Sequence, residues 1–327
     1  MKKLFSGVKP TGDLHLGNYL GAIRQWVKLQ DQYECVYGIV DYHAMTATYD
    51  PTVLQDNVFK CACNYLACGL VPEKSTLMIQ SHVKYHPELT WILNCLTPVS
   101  WLERVPTYKD KCLQQADNIN MGLLDYPALM TADIIIYKAE FVPVGDDQVP
   151  HLELAREIVR RFNSTFGYVF PEPQAITGKR IKGLDGADKM GKSLDNCIYL
   201  YETKEQIWAK ISKAMTDPAR VKRSDPGNPE VCNIFTLHKL LSPETVQQDV
   251  IEGCTKATIG CLECKRWLTE AIEKEIAPIR EKYLHYLSNP QKVADIFHHG
   301  NDKANKFAET TMKEVYEKVG FNYKFLQ

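Results

Sequence analysis

The sequence predicts an α/β protein, a doubly wound parallel sheet followed by a helical domain, and three observations carry that expectation. From Met1 to about Tyr168, short runs rich in apolar and β-branched residues alternate with runs whose apolar residues recur every three to four positions. After "KMGKSLDN" the strand-like runs fade and only the helical spacing continues. At 327 residues with 45% apolar side chains, the chain is long enough to bury a sizeable core in two domains. The boundary is placed near Leu194, which gives units of 1–194 and 195–327.

Taken in order, "KKLFSGV" reads as a first strand and "NYLGAIRQWVKLQDQY" as a helix. "ECVYGIVDYHAMT" reads as a buried strand, and "TVLQDNVFKCACNYLACG" as a helix that stops at Gly69. "TLMIQSHV" supplies another strand, "LLDYPALMTADIIIYKA" a helix opened by Pro127, and "FVPVG" a short strand. Pro150 opens a further helix with Leu152, Ala155, Val159 and Phe162 as its core stripe, and one of Asp146, Asp147 and Gln148 is expected to cap it. This alternation describes a Rossmann-like sheet. Beyond it, "KEQIWAKISKAM", "PETVQQDVIEG", "CLECKRWLTEAIEKEIAPIREKYLHYL" and "ANKFAETTMKEVYEKVG" read as helices, interrupted by the Pro/Gly-rich "TDPARVKRSDPGNPEVC".

Composition excludes several classes of protein. No apolar run approaches the roughly 20 residues of a membrane helix, and "MKKLFSGVKPTG" breaks at Gly and Pro before a signal sequence could form, so a cytoplasmic location is expected. In that compartment thiols stay reduced, and 11 cysteines mean buried core residues or metal ligands. A net charge of -1 argues against a protein that coats nucleic acid. From Tyr201 onward 19 Lys and Arg meet 18 Asp and Glu, which leaves only local patches for a polyanion.

The N-terminal "SGVKPTGDLHLGNYLGA" sets Gly7, Gly12 and Gly17 around a strand-to-helix turn. Glycine lets backbone approach a ligand, and a helix start presents unpaired N–H groups to an anion. His15 and Asn18, three apart, share one side of that turn. The spacing is not the Gly-x-Gly-x-x-Gly of a dinucleotide site, so a nicotinamide enzyme is disfavoured. "PTGDLHLGN" resembles the His-x-Gly-His signature of class I aminoacyl-tRNA synthetases, with Asn18 in the last position as in the tryptophanyl branch. "DKMGKS" resembles the second signature, Lys-Met-Ser-Lys-Ser, with Gly191 in place of the first serine. Two ammonium groups on a loop, Lys189 and Lys192, suit charge that develops on a leaving pyrophosphate.

"DYPALMTADIIIYKAEFVPVGDDQVPHLELARE" places Tyr126, Met130, Asp133 and Tyr137 on one helical face. A carboxylate among Met130, Ile134 and Ile135 needs a partner, either a structural Lys or Arg or a donor on a ligand. "YPALMTADIIIY" and "PVGDDQVPHLELARE" resemble the amino-acid recognition segments of tryptophanyl-tRNA synthetases, and the similarity runs over nearly the whole chain. The resemblance implies that Asp133 accepts the indole N–H and that Tyr126 and Gln148 hold the ammonium group. It also implies an indole slot shaped by Phe5, Gly7, Met130, Val142 and Val144, with His43 close by. ATP would be bound by Lys9, Pro10, Thr11, Gly17, Asn18, Gly145, Asp146, Asp147, Ile181, Lys189, Met190, Lys192 and Ser193. Lys9 stands where the tryptophanyl pattern often has Gln.

On this resemblance the chain is a tryptophan–tRNA ligase that needs ATP, Mg2+, L-tryptophan and tRNA(Trp), acts as a homodimer and carries no editing insertion. His15, Asn18, Lys189 and Lys192 would stabilise phosphate charge, and no side chain need be a nucleophile. Lys109 and Lys111, then Arg220, Lys222 and Arg223, then Lys265 and Arg266 are candidates for tRNA phosphates. The alternatives are a tyrosyl-tRNA synthetase, which shares both signatures, and a non-catalytic RNA-binding iron-sulfur protein on the same fold.

Cys35, Cys61, Cys63, Cys68 and Cys95 lie within apolar patterns and read as core. Cys232, Cys254, Cys261 and Cys264 are separated by 21, 6 and 2 residues, a spacing that fits a metal site with cluster and zinc both open. A bacterial subset of the tryptophanyl family carries such a quartet in its helical domain around a 4Fe-4S cluster. The resemblance implies that cluster here in a structural role.

Overall fold

The computed structural model describes residues 1–327 except 179–180, 187–188, 324 and 326–327, and leaves out the side chain of Ser193. Five strands are present among the described residues: β1 (Lys3–Val8), β2 (Glu34–Ile39), β3 (Ser75–Ile79), β4 (Phe141–Gly145) and β5 (Gln174–Gly178). They form one sheet in the order β3-β2-β1-β4-β5, and every pair is parallel. β1 leads outward to β2 on one side, while β4 and β5 lie on its other side. The order therefore reverses between β1 and β4, which in a doubly wound sheet opens a crevice beyond the carboxyl ends of those two strands.

The chain between β1 and β2 forms α1 (Leu16–Asn18), a π-helical turn (Tyr19–Ile23) and α2 (Arg24–Leu29). It is broken where a continuous helix was expected. α3 (Pro51–Ala67) starts with Asp50 accepting from Thr52 N and stops before Gly69, whose φ of 103° only glycine adopts readily. "DYHAMT" does not extend β2. It forms a 3-10 turn over Tyr42–Thr46, because the strand's pairing partners end at Ile39.

α4 (Tyr85–Asn94), α5 (Val99–Glu103) and α6 (Pro106–Gln114) follow β3. α7 (Met121–Ile135) begins six residues before the proline expected to open it. Asn120 caps it by accepting from Leu123 N, and Pro127 sits inside, with its carbonyl taken by Thr131 Oγ1 at 2.8 Å. α8 (Val149–Phe166) opens without a side-chain cap from Gln148, after a 3-10 turn over Asp146–Gln148.

The remainder is helical: α9 (Lys204–Ile211), α10 (Asn233–Leu241), α11 (Glu244–Thr255), α12 (Cys261–Leu287) and α13 (Pro290–Val319). Their apolar faces contribute to two cores. One joins α1–α3 and β1–β3 to Ile272, Ile276 and Tyr283 of α12. The other joins β1, α4, α7 and α8 to Ala304, Ala308, Met312 and Val315 of α13. α13 thus returns to the sheet, where Asn301 Oδ1 accepts from Ile79 N at 2.8 Å and covers the exposed end of β3. Among the described residues no helix is long and apolar enough to cross a membrane.

Candidate active site

A cleft of about 460 Å³ opens where the strand order reverses, lined by Phe5–Val8 of β1 and Val142–Gly145 of β4. The π-helical turn supplies Gly21 and Ala22 to its wall and α2 supplies Gln25 and Trp26. One end is cationic and the other apolar.

At the cationic end His15 and Asn18 form a reciprocal cap: His15 Nδ1 accepts from Asn18 N at 3.3 Å, and Asn18 Oδ1 accepts from His15 N at 3.1 Å. Nδ1 is thereby an acceptor, which leaves Nε2–H as the donor of a neutral ring. Gly12, at φ 126°, turns beneath Lys192, whose Nζ would lie 3.2 Å from a β-carbon there. A β-carbon on Gly17 would lie 2.9 Å from that of Met190, so the two signatures pack against each other. Lys189 Nζ crosses to Asp147 Oδ2 at 3.7 Å.

Lys9 donates to Thr46 Oγ1 at 3.3 Å, and the Lys111 ammonium stands 3.8 Å from the centre of the Tyr126 ring. Burial pushes the Lys111 ammonium down to about 8, with repulsion from Lys9 adding to it. Neither lysine forms an ion pair with a carboxylate among the described residues. Cations held together without counter-charge in a cleft form a site for a polyanion.

Burial, reinforced by Lys192 and Lys189, holds His15 down to about 4, and burial with Lys111 does the same for His151 against the opposing charge of Asp147. Both rings are neutral in the folded protein and take up protons near 6.5 once unfolded. Their contribution to stability is therefore complete above 6.5 and falls away between 6.5 and 4. The expected loss by pH 5 is about 2 kcal/mol for each. Urea midpoints between pH 7 and 5 should show it, and His15→Gln and His151→Gln should each flatten the slope. An unchanged slope would show that the rings do not titrate this way.

The apolar end is formed by Phe5, Gly7, Val40, Met130, Ile134, Val142 and Val144 around one buried carboxylate, Asp133. Asp133 Oδ2 accepts from His43 Nε2 at 2.8 Å. Oδ1 accepts from Gln80 Nε2 at 2.7 Å and lies 2.7 Å from His86 Nδ1, which approaches off the straight hydrogen-bond line. Burial alone would raise its titration point, but these histidine contacts outweigh it and hold Asp133 below the usual carboxylate range. The protein partners are thus two histidines and an amide in place of a structural Lys or Arg. Above it, the Tyr126 hydroxyl meets His151 Nε2 at 2.5 Å and Thr107 Oγ1 at 2.9 Å.

The model of the tRNA synthetases class I (W and Y) matches residues 1–277. The chain belongs to this family. The tryptophan–tRNA ligase of Deinococcus radiodurans is 46% identical over 98% of this chain and 99% of its own length. That of Thermotoga maritima is 45% identical over 96% and 97%. The Campylobacter jejuni tryptophanyl-tRNA synthetase, solved with ADP and tryptophan, superposes at a TM-score of 0.86 with 37% identity over 97% of this chain and 99% of that one.

In this class I synthetase the cleft gathers Phe5, Gly7, His43, Tyr126, Met130, Asp133, Val142, Val144 and Gln148 at one end and Lys9, Thr11, Asn18, Gly145 and Lys189 at the other. His15, Pro10, Gly17, Asp146, Asp147, Ile181, Met190 and Lys192 are not among the residues that line it. The side chain of Ser193 and all of Asp188 lie outside the described residues. Sequence reasoning missed Gln80 and His86, and it gave Lys111, which lines this cleft, only as a candidate for tRNA phosphates. A buried carboxylate signalled that partners were needed, but not which ones.

Two other expected tRNA contacts are buried. Arg220 donates to the carbonyls of Arg223 and Ile259, and Lys265 to that of Ser212, whereas Lys222, Arg223 and Arg266 are exposed. Cys95, expected in the core, is exposed just past the end of α4, where its turn faces outward. All 11 cysteines are unpaired thiols. Cys232, Cys254, Cys261 and Cys264 line one small cavity with Arg220, Phe235, Val250 and Ile259. Arg220 Nη1 lies 3.7 Å from Cys254 Sγ, its Nε is buried without a partner, and no carboxylate pairs with it among the described residues. Burial and the other three thiols push Cys264 up to about 12, with Arg220 opposing. Among the described residues no group of three or more His, Cys, Asp or Glu is arranged for a single metal ion.

Proposed function

We infer that the chain is a tryptophan–tRNA ligase that forms tryptophanyl-adenylate from tryptophan and ATP and passes the tryptophanyl group to tRNA(Trp). One observation carries the amino-acid choice: a single ionised acceptor, Asp133, at the end of an apolar slot suits one N–H donor on a fused aromatic ring. In the first step a tryptophan carboxylate oxygen bonds to the α-phosphorus as the bond to pyrophosphate breaks. In the second a tRNA ribose hydroxyl bonds to the activated carbonyl and AMP leaves.

Lys9, Lys111, Lys189 and Lys192 neutralise the charge gathering on the leaving group, and the neutral His15 donates without adding charge of its own. Mg2+ bound with the nucleotide supplies further charge neutralisation at the phosphates. Lys111→Ala is expected to raise KM for ATP about tenfold and to lower kcat in pyrophosphate exchange. Unchanged values for ATP would remove Lys111 from the phosphate site. Exchange run separately with tryptophan and tyrosine tests the whole reading. Exchange with neither overturns the ligase, and exchange with tyrosine alone overturns the specificity.

The catalytic unit is proposed as 1–194 and the tRNA-binding unit as 195–327, with tRNA contacts through exposed Lys222, Arg223 and Arg266. A homodimer is supported by exposed Trp91, Val99, Leu113 and Met121 on α4–α7, helices that pack on one another. The four cysteines are proposed to hold a 4Fe-4S cluster. They face one cavity but do not close around a single ion, and the buried Arg220, which has no carboxylate partner among the described residues, would meet the negative charge of four thiolates. Protein purified without oxygen should contain iron and acid-labile sulfide in equal amounts. Zinc without sulfide would select the zinc alternative.

A further inference from the structure

Asp133 has four acceptor positions: Gln80 and His43 take two by hydrogen bonds, and His86 Nδ1 stands 2.7 Å from a third, off the straight line. Gln80 and His86 occupy Oδ1 from behind, and His43 occupies one side of Oδ2. The cleft is lined by Asp133 and His43 but not by Gln80 or His86, so the remaining position on Oδ2 is the one a ligand reaches. Which donors stand at Oδ1 therefore decides where Oδ2 points and that it stays an acceptor.

His86 is fully buried, and its other nitrogen has a partner too: Nε2 is 2.8 Å from the Tyr137 hydroxyl. An ionised carboxylate only accepts, so the ring proton belongs on Nδ1 and Nε2 accepts from Tyr137 O–H. Tyr137 is itself buried, stacked on Phe5 at a centroid distance of 5.7 Å and tilted against Phe307 of α13 at 6.0 Å. Phe5 lines the slot. The hydroxyl that fixes the tautomer and the ring that supports the slot floor thus belong to one residue.

Building on the ligase reading above, we propose that His86, with its tautomer fixed by Tyr137, is a positioning residue that makes Asp133 a selector for amino acids whose ring carries an N–H. It touches neither tryptophan nor ATP and acts through Asp133. A residue that only fills the core would support any ring in the slot equally. A residue that orients the acceptor supports only a ring that donates.

Pyrophosphate exchange with tryptophan and with benzothienylalanine, which has sulfur in place of the ring N–H, separates these. His86→Leu is expected to lower kcat/KM for tryptophan about tenfold or more, mainly through KM. The value for the sulfur analogue should move less than about threefold, so the preference for tryptophan shrinks. His86→Asn, whose amide can replace Nδ1–H, should restore the preference to within about threefold. Tyr137→Phe, which keeps the ring but frees the tautomer, should reduce the preference about threefold and remains a test if His86→Leu does not fold. Equal losses for both substrates in His86→Leu, or an unchanged preference in Tyr137→Phe, would overturn the proposal. Absence of exchange with tryptophan in the unsubstituted protein would instead overturn the underlying ligase reading.

Discussion

Gly300→Ala is expected to destabilise the protein by about 3–5 kcal/mol, although it adds a single methyl group to a helix. A β-carbon at Gly300 would lie 1.8 Å from the carbonyl oxygen of Leu77 and 2.9 Å from its carbon. Those are backbone atoms of the edge strand β3, which cannot swing aside as a side chain would. Gly300, Ala304 and Ala308 repeat every four residues, so α13 presents a strip of small residues that brings its axis close to the sheet. One residue on, Asn301 holds Ile79 N, the last amide before Gln80. Forcing α13 outward should therefore loosen Gln80 and, through it, Asp133. At about 2 °C per kcal/mol for a chain of this size, Tm should fall by roughly 6–10 °C. KM for tryptophan should rise at temperatures where the protein is still folded. Ala304→Gly, which removes bulk from the same strip, should cost only about 1 kcal/mol. A Gly300→Ala variant that melts within a degree of the unsubstituted protein would show that α13 has slack against β3.

The strands β1–β4 were legible in the sequence because each is a short apolar run between turn residues, and such runs in a parallel sheet are buried on both faces. β5 was not. "QAITG" is five residues at the sheet edge behind Pro171 and Pro173, two exposed and three half-buried, too short and too polar for the pattern to register. The cationic end of the cleft could be read from the sequence because its residues are local, with His15 and Asn18 on one turn and Lys189 and Lys192 on one loop. Lys111, Gln80 and His86 could not, because their roles depend on which way a helix or turn faces after packing. Helical spacing shows that α13 has an apolar side, but it does not say that this side returns across the chain to β3. Pro127 misled for a related reason: proline favours a helix start, yet Asn120 provides a stronger one seven residues earlier.

The largest loss of activity is expected from Asp133, and the choice of substitution separates its two duties. Asp133→Ala removes the acceptor for His43, Gln80 and His86 together and leaves two buried donors, Gln80 and His86, and the half-buried His43 facing a void. Stability should fall by about 3–5 kcal/mol, and kcat/KM for tryptophan by at least about a thousandfold. Because the folded carboxylate titrates below its usual range, the stability it contributes is present in full above the unfolded value and is lost progressively as pH falls from there through the lower folded value. The Ala variant should therefore narrow its deficit in acid.

Asp133→Asn keeps one acceptor oxygen. Two donors converge on the Oδ1 position and one on Oδ2, so the amide carbonyl should take the former and its NH2 the latter. The NH2 would then oppose both His43 and an incoming ring N–H. Most of the stability should survive, with a loss of about 1–2 kcal/mol, while tryptophan activation falls about a hundredfold. Denaturation midpoints measured beside pyrophosphate exchange would distinguish the two. If Asn loses as much stability as Ala, the carboxylate serves mainly to satisfy its neighbours. If Asn keeps both stability and exchange, Oδ2 is not where the substrate is recognised.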